Sequence, residues 1–152
     1  MTNVDLLGLA KKAASSIPGG MDGPESGWIP ILMYEGADGV FHTAAIPDLT
    51  REGIHRAAGM VNEMLASDRA VQAVIVLNTI FTDIDIGGVS QNERVMATLV
   101  NRDTTRVEAA LVLRGENVRP RLGPWDAVAE DSDVGRGPFV DAMRAAIERS
   151  RT

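Results

Sequence analysis

At 152 residues the chain is sized for one domain, and its 45% apolar content can fill a core without crosslinks. It has no cysteine, which removes disulfide scaffolds, thiolate zinc sites and cysteine nucleophiles together. A net charge of −6 sets the molecule as a whole against nucleic-acid phosphates, and its thirteen Arg and two Lys form no basic run.

Residues 3–16 read as a short amphipathic helix. Val4, Leu7 and Ala10 stand at helical spacing with Leu6, Leu9 and Ala13 beside them. Lys11 and Lys12 follow this apolar stretch instead of preceding it, and Asp5 interrupts it, so it does not read as a secretory leader. Between Ser15 and Gly27, four glycines and two prolines in thirteen residues disfavour both helix and strand. The expected organisation is a helical arm over 1–16, a flexible linker over 17–27 and an α+β domain over 28–152. An exposed apolar arm needs cover. It can dock on its own domain or on a neighbour, and Val4, Leu6, Leu7, Leu9 and Ala10 are then the candidate oligomerisation residues.

The domain begins with a strand over 28–35, with Pro30 near its start or on a sheet edge. Gly36 to Gly39 reads as a turn, and Val40 to Ile46 returns as a second strand. Asp48 is the expected cap of a helix ending near Ser67–Asp68. Its buried stripe is Ile54, Ala58, Val61 and Leu65, with Ala57 and Met64 alongside. Residues 73–82 form an unbroken, β-branched apolar run, the pattern of a central strand covered on both faces. A polar loop over 83–92 is expected next, then a hairpin from Val95–Val100 and Val107–Leu113. An irregular crossing containing Pro120, Gly123 and Pro124 follows. Pro138 opens a final helix that buries Phe139, Val140, Met143 and Ile147. The fold class is therefore α+β. A mostly antiparallel sheet of about five strands carries a long helix on one face, with N- and C-terminal helices added. No window holds eighteen uninterrupted apolar residues, so no membrane span is expected.

Chemistry-bearing residues are sparse. Asn78 and Thr79 interrupt the central strand, and polar groups there must find partners or line a pocket, so they are the candidate ligand-binding residues. Asp83, Asp85 and Glu93 could hold Mg²⁺ or Ca²⁺ as a carboxylate cluster, although they lack the glycine and closing Glu of an EF-hand loop. His42 and His55 lie on separate elements, with no spacing that suggests a shared metal. The glycine pairs do not have phosphate-loop form, no serine has nucleophile-elbow context, and no cofactor is implied.

The order of a hairpin, a helix, an apolar strand, an Arg-bearing hairpin and a Pro/Trp crossing resembles a loose group of uncharacterised bacterial and phage-encoded proteins. The segments that carry the likeness are Asn78-Thr79-Ile80-Phe81 and Glu93-Arg94-Val95-Met96-Ala97, with Asn101-Arg102-Asp103 as the turn. It spans about residues 28–130 and departs from the group at Thr79 and Phe81, where a Glu and a Trp are usual. The resemblance implies the fold and no established activity; the expected setting is cytoplasmic or within a phage particle. The leading expectation is a non-catalytic interaction or assembly protein that forms homo-oligomers, with neither nucleic acid nor membrane as partner. The alternatives are a small ligand- or metal-binding protein or enzyme at the end of the central strand, and an acidic inhibitor of a host protein.

Overall fold

A computed structural model describes residues 5–16, 30–46, 53–115, 118–128 and 137–149. The elements are α1 (Leu6–Ser16), β1 (Ile31–Glu35), β2 (Phe41–Ala45), α2 (Gly53–Ser67) and β3 (Gln72–Asp85). β4 (Gly88–Asn101), β5 (Thr105–Gly115), β6 (Val118–Ala127) and α3 (Pro138–Arg149) complete them. The six strands form one antiparallel sheet in the order β2-β1-β3-β4-β5-β6. The fold is α+β with a mostly antiparallel sheet, as expected, and β3 is an inner strand. The sheet has six strands where about five were expected.

One segment lengthens two expected strands, and another supplies the sixth. The stretch expected as a polar loop, 83–92, is instead the continuation of a long hairpin. β3 and β4 pair without a register shift from Gln72↔Asn101 to Asp85↔Gly88. Polar residues at successive positions look like a loop, but a hairpin can carry them and still keep its backbone ladder. The stretch expected as an irregular crossing is β6. Its prolines are accommodated by two bulges. Gly123 and Pro124 together oppose Leu111, and Arg119 and Pro120 together oppose Arg114. An edge strand with bulges tolerates residues that cannot donate to a ladder.

Alternation along the strands separates two cores. On one face Leu32, Tyr34, Ala73, Ile75 and Val100 pack under α2 and α3. α2 contributes Ala57, Ala58, Val61 and Leu65, and α3 contributes Phe139, Val140, Met143, Ala146 and Ile147. Asn62 Nδ2 donates to Ala142 O at 2.9 Å and ties the two helices together. On the other face Val74, Val76, Val95, Ala97 and Leu99 meet Leu6, Leu7, Ala10 and Ala14 of α1. Asp5 caps α1, its Oδ1 accepting the Gly8 N–H at 3.0 Å. Lys11 Nζ reaches Glu108 Oε1 on β5 at 2.9 Å, and Trp125 Nε1 donates to Ser15 Oγ at 3.3 Å. The apolar stripe of the arm is thus seated on the chain's own sheet. Residues 17–29, which hold the expected linker, and 47–52, which hold the expected cap Asp48, lie outside the described residues.

α2 ends in a Schellman turn. Arg69 N–H donates to Ala66 O at 3.2 Å, and Ala70 N–H donates to Leu65 O at 2.9 Å. Arg69 takes φ 51°, the left-handed conformation that this turn requires and that glycine usually supplies.

Candidate functional site

Tyr34, His42 and Asp68 form a polar cluster where the β1–β2 turn meets the α2–β3 turn. Tyr34 and His42 are cross-strand partners, and their rings stack at 4.8 Å with 17° between planes. Tyr34 OH donates to Asp68 Oδ2 at 2.5 Å, and His42 Nε2 stands 3.9 Å from the same oxygen. The two turns are pressed together at this point. Ala37 N–H donates to Asp68 O at 3.2 Å, and a Cβ on Gly36 would lie only 3.1 Å from that carbonyl oxygen. Gly39 closes the turn at φ 80°, a conformation natural to glycine. Burial, followed by the hydrogen bond and negative charge of Asp68, pushes the Tyr34 phenol up to about 12. A phenol held neutral is a poor base and a poor nucleophile. The cluster fastens the β1–β2 hairpin to the end of α2. No sequence spacing announces it, because Asp68 is 34 positions from Tyr34. The pairing of Tyr34 with His42 is symmetric about Asp38, within the turn that the glycines mark.

The residues singled out from sequence scatter. Asn78 pairs with Val95 on the α1 side of the sheet, and its buried Nδ2 has no hydrogen-bond partner among the described residues. Thr79, Asp83 and Asp85 belong to β3, opposite Arg94, Ser90 and Gly88, while Glu93 on β4 is opposite Ile80. By strand alternation, positions 83 and 85 share one face of the sheet and position 93 belongs to the other. The side chains of Thr79, Asp83 and Asp85 lie outside the described set. Among the described residues no group of three or more His, Asp or Glu could hold a metal ion. Of the candidate oligomerisation residues, Leu6, Leu7 and Ala10 are buried against β3 and β4, Leu9 is exposed, and Val4 lies outside the described residues. The three buried residues can reach a neighbour only by leaving this sheet.

An open surface with exposed leucines lies on β5 and β6. The core cluster under α2 and α3 draws its sheet residues from β1, β3 and β4, and from neither β5 nor β6. Beyond the helices the same face continues as a groove of about 370 Å³, lined by Ala109, Leu111, Leu113, Gly123 and Pro124, with Arg94 and Asp126 at its sides. Leu111 is 43% exposed and Leu113 41%. A smaller apolar hollow of about 220 Å³ lies between β2 and α2, against Ala44, Ile46, Met60 and Met64. The apolar run Val107–Leu113 marks β5 as a strand, and which of its faces stays open is set by where the helices dock. No helix among the described residues is long and apolar enough to cross a membrane.

No family model, curated protein or solved structure matches this chain.

Proposed function

We propose that this chain is a non-catalytic interaction and assembly protein, acting through contacts with other proteins and with copies of itself. The observation that carries this reading is the open apolar strip on β5–β6. Leu111 and Leu113 expose leucine surface side by side on a rigid sheet, in a concave setting with one cation and one carboxylate at its sides. Contiguous apolar surface with a polar rim is how protein contact sites are commonly built. The group that this sequence resembles suggests a phage or prophage origin, and with it a cytoplasmic or particle setting.

Site-specific photo-cross-linking in cells tests the reading. A photoreactive residue at Leu111 should give a discrete protein adduct. The same residue at Glu63, on the solvent side of α2, should give none. Identical patterns at the two positions, or no adduct at either, would count against it.

A further inference from the structure

The sheet has two edges, and they are built differently. β6 is broken by two bulges and carries Pro120 and Pro124, devices that hinder pairing with another strand. β2 has none of these. It is the five-residue run Phe41-His-Thr-Ala-Ala45, with no proline, no bulge and no carboxylate, lysine or arginine, and no described strand pairs with its outer side.

The ladder fixes which backbone groups face outward. Gly36 N–H donates to Val40 O, and Ile46 N–H donates to Pro30 O, both at 2.9 Å. Glu35 turns its carbonyl the other way and accepts Val71 N–H at 2.9 Å. The antiparallel alternation then directs the backbone of Val40, His42, Ala44 and Ile46 toward β1. Phe41, Thr43 and Ala45 direct their N–H and C=O groups to the open edge. Their side chains share the face on which α1 lies, and all three are exposed, Phe41 at 41%.

We propose that β2 pairs antiparallel with β2 of a second copy, about a twofold axis through Thr43, joining two six-stranded sheets into one. The sequence of the strand suits its own mirror register. Phe41 falls opposite Ala45 of the other copy, setting a large side chain against a small one. Thr43 falls opposite Thr43, a favourable cross-strand pair. All three outward N–H groups and all three outward C=O groups of each copy find partners. The net charge of −6 per chain opposes association of two copies, and the absence of carboxylate, lysine and arginine from Phe41–Ala45 keeps that repulsion out of the seam itself. The resulting dimer is isologous. It carries its two β5–β6 strips at opposite ends, so the pairing also makes the surface of the proposed function bivalent.

Sedimentation velocity of the full chain over a wide concentration range tests the seam, with amide hydrogen exchange as the second measurement. The wild type should dimerise as concentration rises, and the amides of Phe41, Thr43 and Ala45 should gain protection together. Thr43→Lys sets like charges across the axis. Thr43→Pro removes an outward N–H that takes no part in the β1–β2 ladder. Each should weaken dimerisation by about tenfold or more, with an unchanged circular dichroism spectrum. Thr43→Val should leave it intact. A wild type that stays monomeric throughout, or a dimer that survives both Thr43→Lys and Thr43→Pro, would overturn the seam. Either result leaves the cross-linking test at Leu111 standing by itself.

Discussion

The two halves of this sheet are made of equally apolar strands but meet different fates. β3 is buried on both faces from Ala73 to Val76, with α2 and α3 above and α1 below. β5 has α1 near one face through Val112, while Leu111 and Leu113 on the opposite face remain exposed. Alternation alone does not separate structural from available leucines. The reach of the helical layer does. α2 and α3 are held to each other and to β1, β3 and β4, so the apolar row on β5–β6 is left over.

Paired truncations break the comparison most sharply. Met143 of α3 is fully buried over the closed half. Met143→Ala should destabilise the fold by about 2–5 kcal/mol in a urea titration, because it leaves a cavity that the helices cannot fill. Leu113→Ala, on the open half, should cost under about 1 kcal/mol, since much of that side chain is already in water. Equal losses at the two positions would mean that the strip is core in solution.

The hairpin at the far end from β6 can be tested through its titration. Tyr34 is the only tyrosine in the chain and is 3% exposed, so the ultraviolet absorbance of phenolate reports on it alone. Tyr34→Phe should cost about 1.5–3 kcal/mol at neutral pH, the net worth of a hydrogen bond to a charged acceptor. The sign of the pH dependence follows from the upward shift. A phenol whose proton is held more tightly in the folded state contributes fully below its unfolded value of 10.0. That contribution is lost as pH rises through about 12. The gap in stability between wild type and Tyr34→Phe should therefore be flat to about pH 10 and close above it. Asp68→Asn, which removes the anion but not the burial, should lower the phenol's midpoint part of the way. A midpoint near 10 in the folded wild type would show that the cluster is open to water.

What the sequence revealed was local. Ala58, Val61 and Leu65 of the α2 stripe and the inward row Phe139, Val140, Met143 and Ile147 of α3 are buried where helical spacing places them, and Ile54 is half-buried. The β-branched run of β3 is covered on both faces from Ala73 to Val76. What it concealed depends on register between distant segments. β6 looked irregular because its prolines occupy bulges that only the opposing β5 defines. The polar stretch around Asp83 and Asp85 looked like a loop because its strand state comes from β4. The open strip was hidden for a related reason. Leu111 and Val112 are adjacent and equally apolar, and which of them is covered depends on where α1 and α3 dock.

The smallest expected effect separates a stabilising turn from a merely tolerated one. Arg69 closes the Schellman turn that aims the chain from α2 into β3, and it does so in the left-handed region at φ 51°. A side chain with a Cβ is strained there, by about 1–2 kcal/mol, whereas glycine is not. Arg69 is exposed, so replacing it removes little packing. Arg69→Gly should therefore stabilise the fold by about 0.5–1 kcal/mol, after the greater backbone freedom of glycine in the unfolded chain is set against the strain relieved. Denaturant titration would show this as a higher midpoint with an unchanged slope. The gain should appear equally in Leu113→Ala and in Met143→Ala backgrounds, because neither position belongs to the turn. A loss of stability would instead mean that the Arg69 side chain holds a contact worth more than its backbone strain.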